Sequence, residues 1–201
     1  MNTTNIIGTY LLATEQEKVH GANWYPEAKE IATKIAHKYY CVDTLTVAAV
    51  IAALSPNNKW ERNCKDAENL IAAFMAGGPG AAADVKVCTY GKNKAKAIAL
   101  LECNDALQFD AILSGRKVVA FYRCIIGSST AVVVDGHAYS VWVGERLTMK
   151  EVPSIGVKLY AAICEDYRAA ADNINAVYGC AYTAAQVQAI TWIAHKRTYG
   201  V

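Results

Sequence analysis

The sequence has no Cys-x-x-Cys pair, although it carries seven cysteines. Cys41, Cys64, Cys88, Cys103, Cys124, Cys164 and Cys180 are odd in number and widely spaced. A disulfide framework or a zinc site needs tighter arithmetic, and an iron–sulfur cluster needs a closely spaced run of four. Reduced thiols, several of them in the core, are therefore expected, with no metal and no cofactor. Long apolar runs are missing too. The most apolar stretch, "TLTVAAVIAAL" at 44–54, is too short to span a bilayer. The opening "MNTTNIIGTYLLATEQEKVH" offers neither a basic n-region nor a signal-length apolar segment. A soluble cytoplasmic protein is expected. A strong charge imbalance is also absent. The net charge is +2 and the pI is near 8.1, which permits a nucleic-acid partner without a strongly basic footprint.

What is present is helical periodicity. The chain is 54% hydrophobic and only 19% charged, enough for a real core and too apolar for disorder. The spacing predicts amphipathic helices over 4–20 and 25–40, with Pro26 in a first turn. "VDTLTVAAVIAALSP" predicts a helix apolar nearly all round, capped by Asp43 or Thr44 and stopped at Pro56. "KWERNCKDAENLIAAFMA" predicts the next helix, and "GGPG" at 77–80 a break acting as hinge or loop between two groups of helices. Further helices are expected near 81–87, over "KNKAKAIALLEC", over 115–126 and over "GHAYSVWVGERL", with a turn or short helix at "DALQFDAIL". "GVKLYAAICEDYRAAADNI" predicts a long one. "YTAAQVQAITWIAHKR" opens with Thr183 and Gln186 at capping-box spacing. "TAVVVD" is β-branched but has no partner strand, so an extended crossing segment is expected. No repeat or linker divides the chain. The expectation is one all-α domain over 1–201.

Four stretches, in order, resemble the helix-hairpin-helix DNA glycosylase superfamily, the endonuclease III-like fold. They are "TVAAVIAALSPNNKWERNCKDAENL", "CTYGKNKAKAIALL", "LSGRKVVAFYRCIIG" and "TAVVVDGHAYSVW". The similarity covers about 44–146, with 1–43 and 147–201 as flanking helices completing the fold. Asp135 follows Lys117 by 18 residues, which agrees with the lysine-to-aspartate spacing of the family's bifunctional members. The chain departs from the family in two places. Ile112 and Leu113 stand where the hairpin has Pro and its first glycine, and the C-terminal iron–sulfur loop is missing. The tail looks more like divergent members from viruses that infect bacteria.

The resemblance implies double-stranded DNA as partner, a monomer, and an enzyme that flips a nucleotide and cleaves its N-glycosidic bond. Asp135 is the candidate for stabilising positive charge on the sugar. Lys117 is the candidate amine for a Schiff base, provided burial or nearby cations such as Arg116 and Arg123 strip its proton. The helix between them would bring amine and carboxylate to one sugar. His137 is expected to orient Asp135 or touch phosphate. In the polar turn, Asn57 and Asn58 are expected to reach the duplex, and Trp60 to stack on a base or pack in the core. Lys92, Lys94, Gly115 and Arg116 are expected at the DNA backbone, together with Lys96. Trp192 is a candidate pocket wall beside His195, Lys196 and Arg197. Blander roles exist for each: an N-cap for Asp135, solvated faces for the lysines, turn chemistry for the asparagines. Two other functions are consistent with the same residues: a diverged enzyme acting on modified pyrimidines in viral DNA, and a non-catalytic DNA- or partner-binding module.

Overall fold

The computed structural model describes residues 2–40, 42–148 and 150–200. Cys41 lies outside them. The described residues contain helices and no strand, so the protein is all-α. The elements are α1 (Thr3–Leu12), α2 (Glu15–Lys38), α3 (Thr44–Leu54), α4 (Trp60–Asp84), α5 (Gly91–Glu102), a 3-10 turn (Ala106–Gln108), α6 (Phe109–Leu113), α7 (Arg116–Ile125), α8 (Gly136–Val143), α9 (Val157–Tyr178) and α10 (Ala184–Tyr199). None is long and apolar enough to cross a membrane. The six described cysteines are thiols, with Cys124 and Cys164 buried.

The chain forms two compact units. One runs from Glu27 to Ile126. The other combines the chain up to Pro26 with the chain from Gly127 onward. In the 27–126 unit, α3 is the central element and packs against α4, α5, α6 and α7. Asp43 accepts the Thr46 N–H at 2.7 Å and starts this helix. Every residue from Val47 to Leu54 is buried, so beyond its first turn, where Leu45 is exposed, no face of α3 is left for water. Burying one such valine or leucine side chain contributes about 1.5–3 kcal/mol.

The "GGPG" break is narrower than a hinge between helix groups. Only Gly77 (φ −151°) and Gly78 (φ 69°, ψ −162°) leave helical geometry, and α4 resumes at Pro79. Proline lacks the N–H that a first turn does not use, which lets the helix restart at once. The kink lies inside the 27–126 unit, and α5 beyond it packs back on α3 and α4.

The other unit packs α1, α8, α9 and α10 around Ile6, Tyr10, Val134, Ile163, Tyr167 and Ile190. Its N-terminal helices divide at 13–14, not near 21–24 as the sequence predicts. Thr14 and Glu17 form a reciprocal cap: the Thr14 N–H donates to Glu17 Oε2 at 2.8 Å, and the Glu17 N–H donates to Thr14 Oγ1 at 3.2 Å. Pro26 therefore sits within α2 and not in its first turn. Its missing donor leaves the Ala22 carbonyl without the usual helix partner, and Gln186 Nε2 donates to that carbonyl at 2.9 Å. α2 also approaches α10 closely, since a Cβ at Gly21 would lie 2.6 Å from Ile190.

"TAVVVD" is extended and unpaired with any strand, as expected. A tyrosine satisfies its backbone instead. The Val134 N–H donates to the Tyr160 hydroxyl at 3.2 Å, and that hydroxyl donates to the Val132 carbonyl at 2.9 Å. Buried Asp166 ties α1 to this unit. It accepts the Asn2 N–H at 3.1 Å, the Thr3 hydroxyl at 3.3 Å and Trp142 Nε1 at 2.8 Å.

Candidate active site

The extended segment ends in Asp135, which caps α8. Its Oδ1 accepts the Ala138 N–H at 2.8 Å, and the side chain is half-buried. The cap places the carboxylate at the positive end of α8, where the helix dipole complements it. The role of N-cap is thus real, and it is compatible with chemistry because the bond uses Oδ1. The field of Asp135 reaches buried neighbours. Burial pushes the Tyr167 phenol well above its ordinary value, and the Asp135 carboxylate adds to that rise.

In the first turn of α8, His137 is half-buried among rings supplied by α10. The His137 and His195 rings meet edge-on with centroids 5.6 Å apart, and Trp192 lies 6.4 Å from His137. Trp192, His195 and Tyr199 follow one another at helical spacing (i, i+3, i+7), which puts them along one face of α10. Tyr199 lies 4.7 Å from His195. Trp192 also contacts Trp24 at 5.6 Å and carries the Lys196 ammonium 4.4 Å from its centre. His195 is only 4% exposed. Burial pulls its imidazole below the ordinary value, His137 and Arg146 pull the same way, and Asp135 opposes them. The structure thus gathers Asp135, His137 and Trp192 in one unit. The ring spacing on α10 is readable in the sequence, but nothing there aims it at the start of α8. Arg197 points elsewhere, donating to Glu17 at 2.6 Å and to the Leu12 carbonyl at 2.8 Å.

The 27–126 unit holds the hairpin. Between α6 and α7 the backbone is left-handed at two successive residues, Ser114 (φ 40°) and Gly115 (φ 92°). A Cβ at Gly115 would meet nothing, so conformation and not space requires glycine there. Lys96 Nζ donates to the Leu113 carbonyl at 2.6 Å and to the Ser114 hydroxyl. Its role is to secure the turn. Arg116 and Lys117 are exposed on the first turn of α7. Arg123 pairs with Asp110 across the hairpin, which takes up the cation expected to act on Lys117. Neither α5 nor α7 has a side-chain cap. A cleft of about 240 Å³ beside the turn is lined by Pro56, Tyr90, Lys92, Asn93, Lys96 and Ser114, among others.

The other expected DNA contacts divide. Lys92 is exposed, above the Tyr90 ring. Lys94 donates to the Ala83 and Val85 carbonyls and so closes the C-terminal end of α4. Asn57 is exposed at φ 58° and donates to the Tyr90 hydroxyl. Asn58 points inward, donating to Asp66 at 3.1 Å and the Leu54 carbonyl at 3.4 Å. Asp66 is 1% exposed and also accepts Arg62 Nε and the Cys88 N–H, each at 2.7 Å. Burial works to raise the Asp66 carboxyl, but the bonds from Cys88, Arg62 and Asn58 outweigh it and hold it below the usual range. Trp60 packs edge-on against Phe121, 6.3 Å between centres.

Among the described residues, no cluster of His, Cys, Asp and Glu could hold a metal ion. The two units thus define an all-helical protein with an exposed basic turn in one and a half-buried carboxylate among aromatic rings in the other. The chain belongs to a family of unknown function, DUF7178, whose family model matches residues 1–199. No curated protein and no solved structure matches it.

Proposed function

We propose that this protein is a DNA N-glycosylase-like enzyme of endonuclease III-like architecture. The observation that carries the reading is the setting of Asp135: a half-buried carboxylate at a helix N-terminus, with half-buried His137 two residues on and buried His195 within reach of its field. Cleavage of the C1′–N bond leaves positive charge on the sugar. A carboxylate already fixed in a poorly hydrated place stabilises that charge without reorganising. The nucleotide must first leave the duplex, at a cost of a few kcal/mol. Support for a DNA partner comes from the 27–126 unit. Its left-handed turn and the α5 and α7 starts, which lack side-chain caps, leave backbone N–H groups suited to phosphate. Lys92, Arg116 and Lys117 add cations.

In this reading hydrolysis through Asp135 is the principal reaction. Schiff-base chemistry requires a desolvated amine, and Lys117 is exposed. The test uses duplexes carrying an abasic site, oxidised guanine, uracil or hydroxymethyluracil. Base release and borohydride trapping are followed for wild type, Asp135→Asn and Lys117→Ala. Base release lost in Asp135→Asn and kept in Lys117→Ala is the expected result. A trapped covalent band lost in Lys117→Ala would make the lysine the nucleophile instead. DNA binding that ignores Asp135→Asn, with no base released, would mark a non-catalytic binding module.

A further inference from the structure

We infer that His137 is the proton acceptor for the attacking water at the Asp135 site, and that His195 is the residue positioning it. The inference rests on the glycosylase reading above. Hydrolysis releases a proton that Asp135 is badly placed to take, because a protonated Asp135 would no longer balance the sugar's charge. His137 lies two residues further on, in the first turn of the helix that Asp135 caps, and it is half-buried. Its ring meets His195 at 67° and Trp192 at 84°, so two α10 side chains hold its plane. His195 is itself fixed by burial and by the Tyr199 ring. The titratable and charged groups around the pair are Asp135 and Arg146, which act on His195, and Tyr199 from α10, whose ring meets it; Lys196 lies over the neighbouring Trp192, and Tyr167 from α9 feels the Asp135 carboxylate. His195 is held neutral by burial, with His137 and Arg146 acting in the same direction. A neutral buried imidazole positions its partner without adding a second charge beside the reacting sugar.

The step balances as follows. A water oxygen bonds to C1′ and the C1′–N bond breaks. The electron pair leaves on the base nitrogen. His137 takes the water proton, and the departing base gains one proton from His137 or solvent. Removal of a general base lowers the rate by about 10²–10⁴-fold.

The experiment measures single-turnover base release against pH on whichever duplex of the panel wild type cleaves. The variants are His137→Asn, His195→Ala, His195→Phe and the double variant His137→Asn/His195→Ala. Thermal melting checks that each is folded. His137→Asn is expected to lose at least about 100-fold and to lose the acid limb of the profile. His195→Ala should lower the maximal single-turnover rate with the half-saturating enzyme concentration unchanged, and His195→Phe, which keeps a ring, should recover most of it. The double variant should be no slower than His137→Asn alone, because His195 acts only through His137. An acid limb and rate that survive His137→Asn, while Asp135→Asn abolishes release, would overturn the inference and leave the glycosylase reading standing. Additive losses in the double variant would reduce His195 to packing. No release by wild type from any duplex would overturn the reading and this inference with it.

Discussion

The starts of α7 and α8 solve opposite problems. α7 begins at a left-handed turn, lacks a side-chain cap and carries exposed Arg116 and Lys117. α8 begins at a half-buried aspartate that caps it, with the half-buried His137 ring meeting the buried His195 ring in the same unit. Both offer the positive end of a helix. In α7 that end carries the exposed side chains of Arg116 and Lys117, an arrangement suited to holding a polyanion that remains hydrated. In α8 it is complemented at once by the half-buried Asp135 side chain, which accepts the Ala138 N–H. What decides the chemistry is therefore burial and capping, not the dipole.

The comparison breaks most visibly if the α7 charges are removed. Arg116→Ala combined with Lys117→Ala is expected to weaken duplex binding about tenfold or more at low salt. It should flatten the salt dependence by about one unit of slope per lost contact. Lys94→Ala should leave that slope unchanged, because Lys94 is committed to the end of α4. A fluorescence-anisotropy salt titration checks both. Next in size, Gly115→Ala forces a side chain into φ 92° and should cost about 1–2 kcal/mol in denaturant unfolding. Asp135→Ala removes the α8 cap and should cost about 1 kcal/mol, whereas Asp135→Asn, which still caps, should cost little. The smallest effect is a pH dependence from His195. Its folded-state value is lowered, so below the ordinary imidazole value of about 6.5 the unfolded chain binds the extra proton. The contribution is present above that pH and is lost as the pH falls toward the folded value. His195→Phe should flatten stability-versus-pH in this window.

Much of the fold was legible because local chemistry states it. The Thr183–Gln186 capping box forms as its spacing implies, α3 is buried all round from Val47 to Leu54, and "TAVVVD" stays extended without a strand. Pro26 misled because its compensation is remote. Gln186 serves the carbonyl it leaves without a helix partner, and only the folded chain brings the two together. The equally local Thr14–Glu17 signal competes with that proline and prevails. The candidate DNA residues show the same division. Exposure of Arg116 and Lys117 follows from an amphipathic α7. The inward turn of Asn58 depends on the buried Asp66, and the use of Lys94 depends on where α4 ends. Residue type marks a lysine or asparagine as available. Only tertiary structure shows that it is already engaged. For His137 the missing information was the partner, since the α10 ring row gains meaning only when it lies against the start of α8.

The most direct test of the account is base release by wild type against Asp135→Asn on the damaged and modified duplexes. The substitution keeps the cap and removes the charge. Release reduced about 10²–10³-fold in a variant that melts with wild type is the expected result. Equal release by the two proteins would contradict the account, because a carboxylate that only caps a helix can be replaced by an amide without loss.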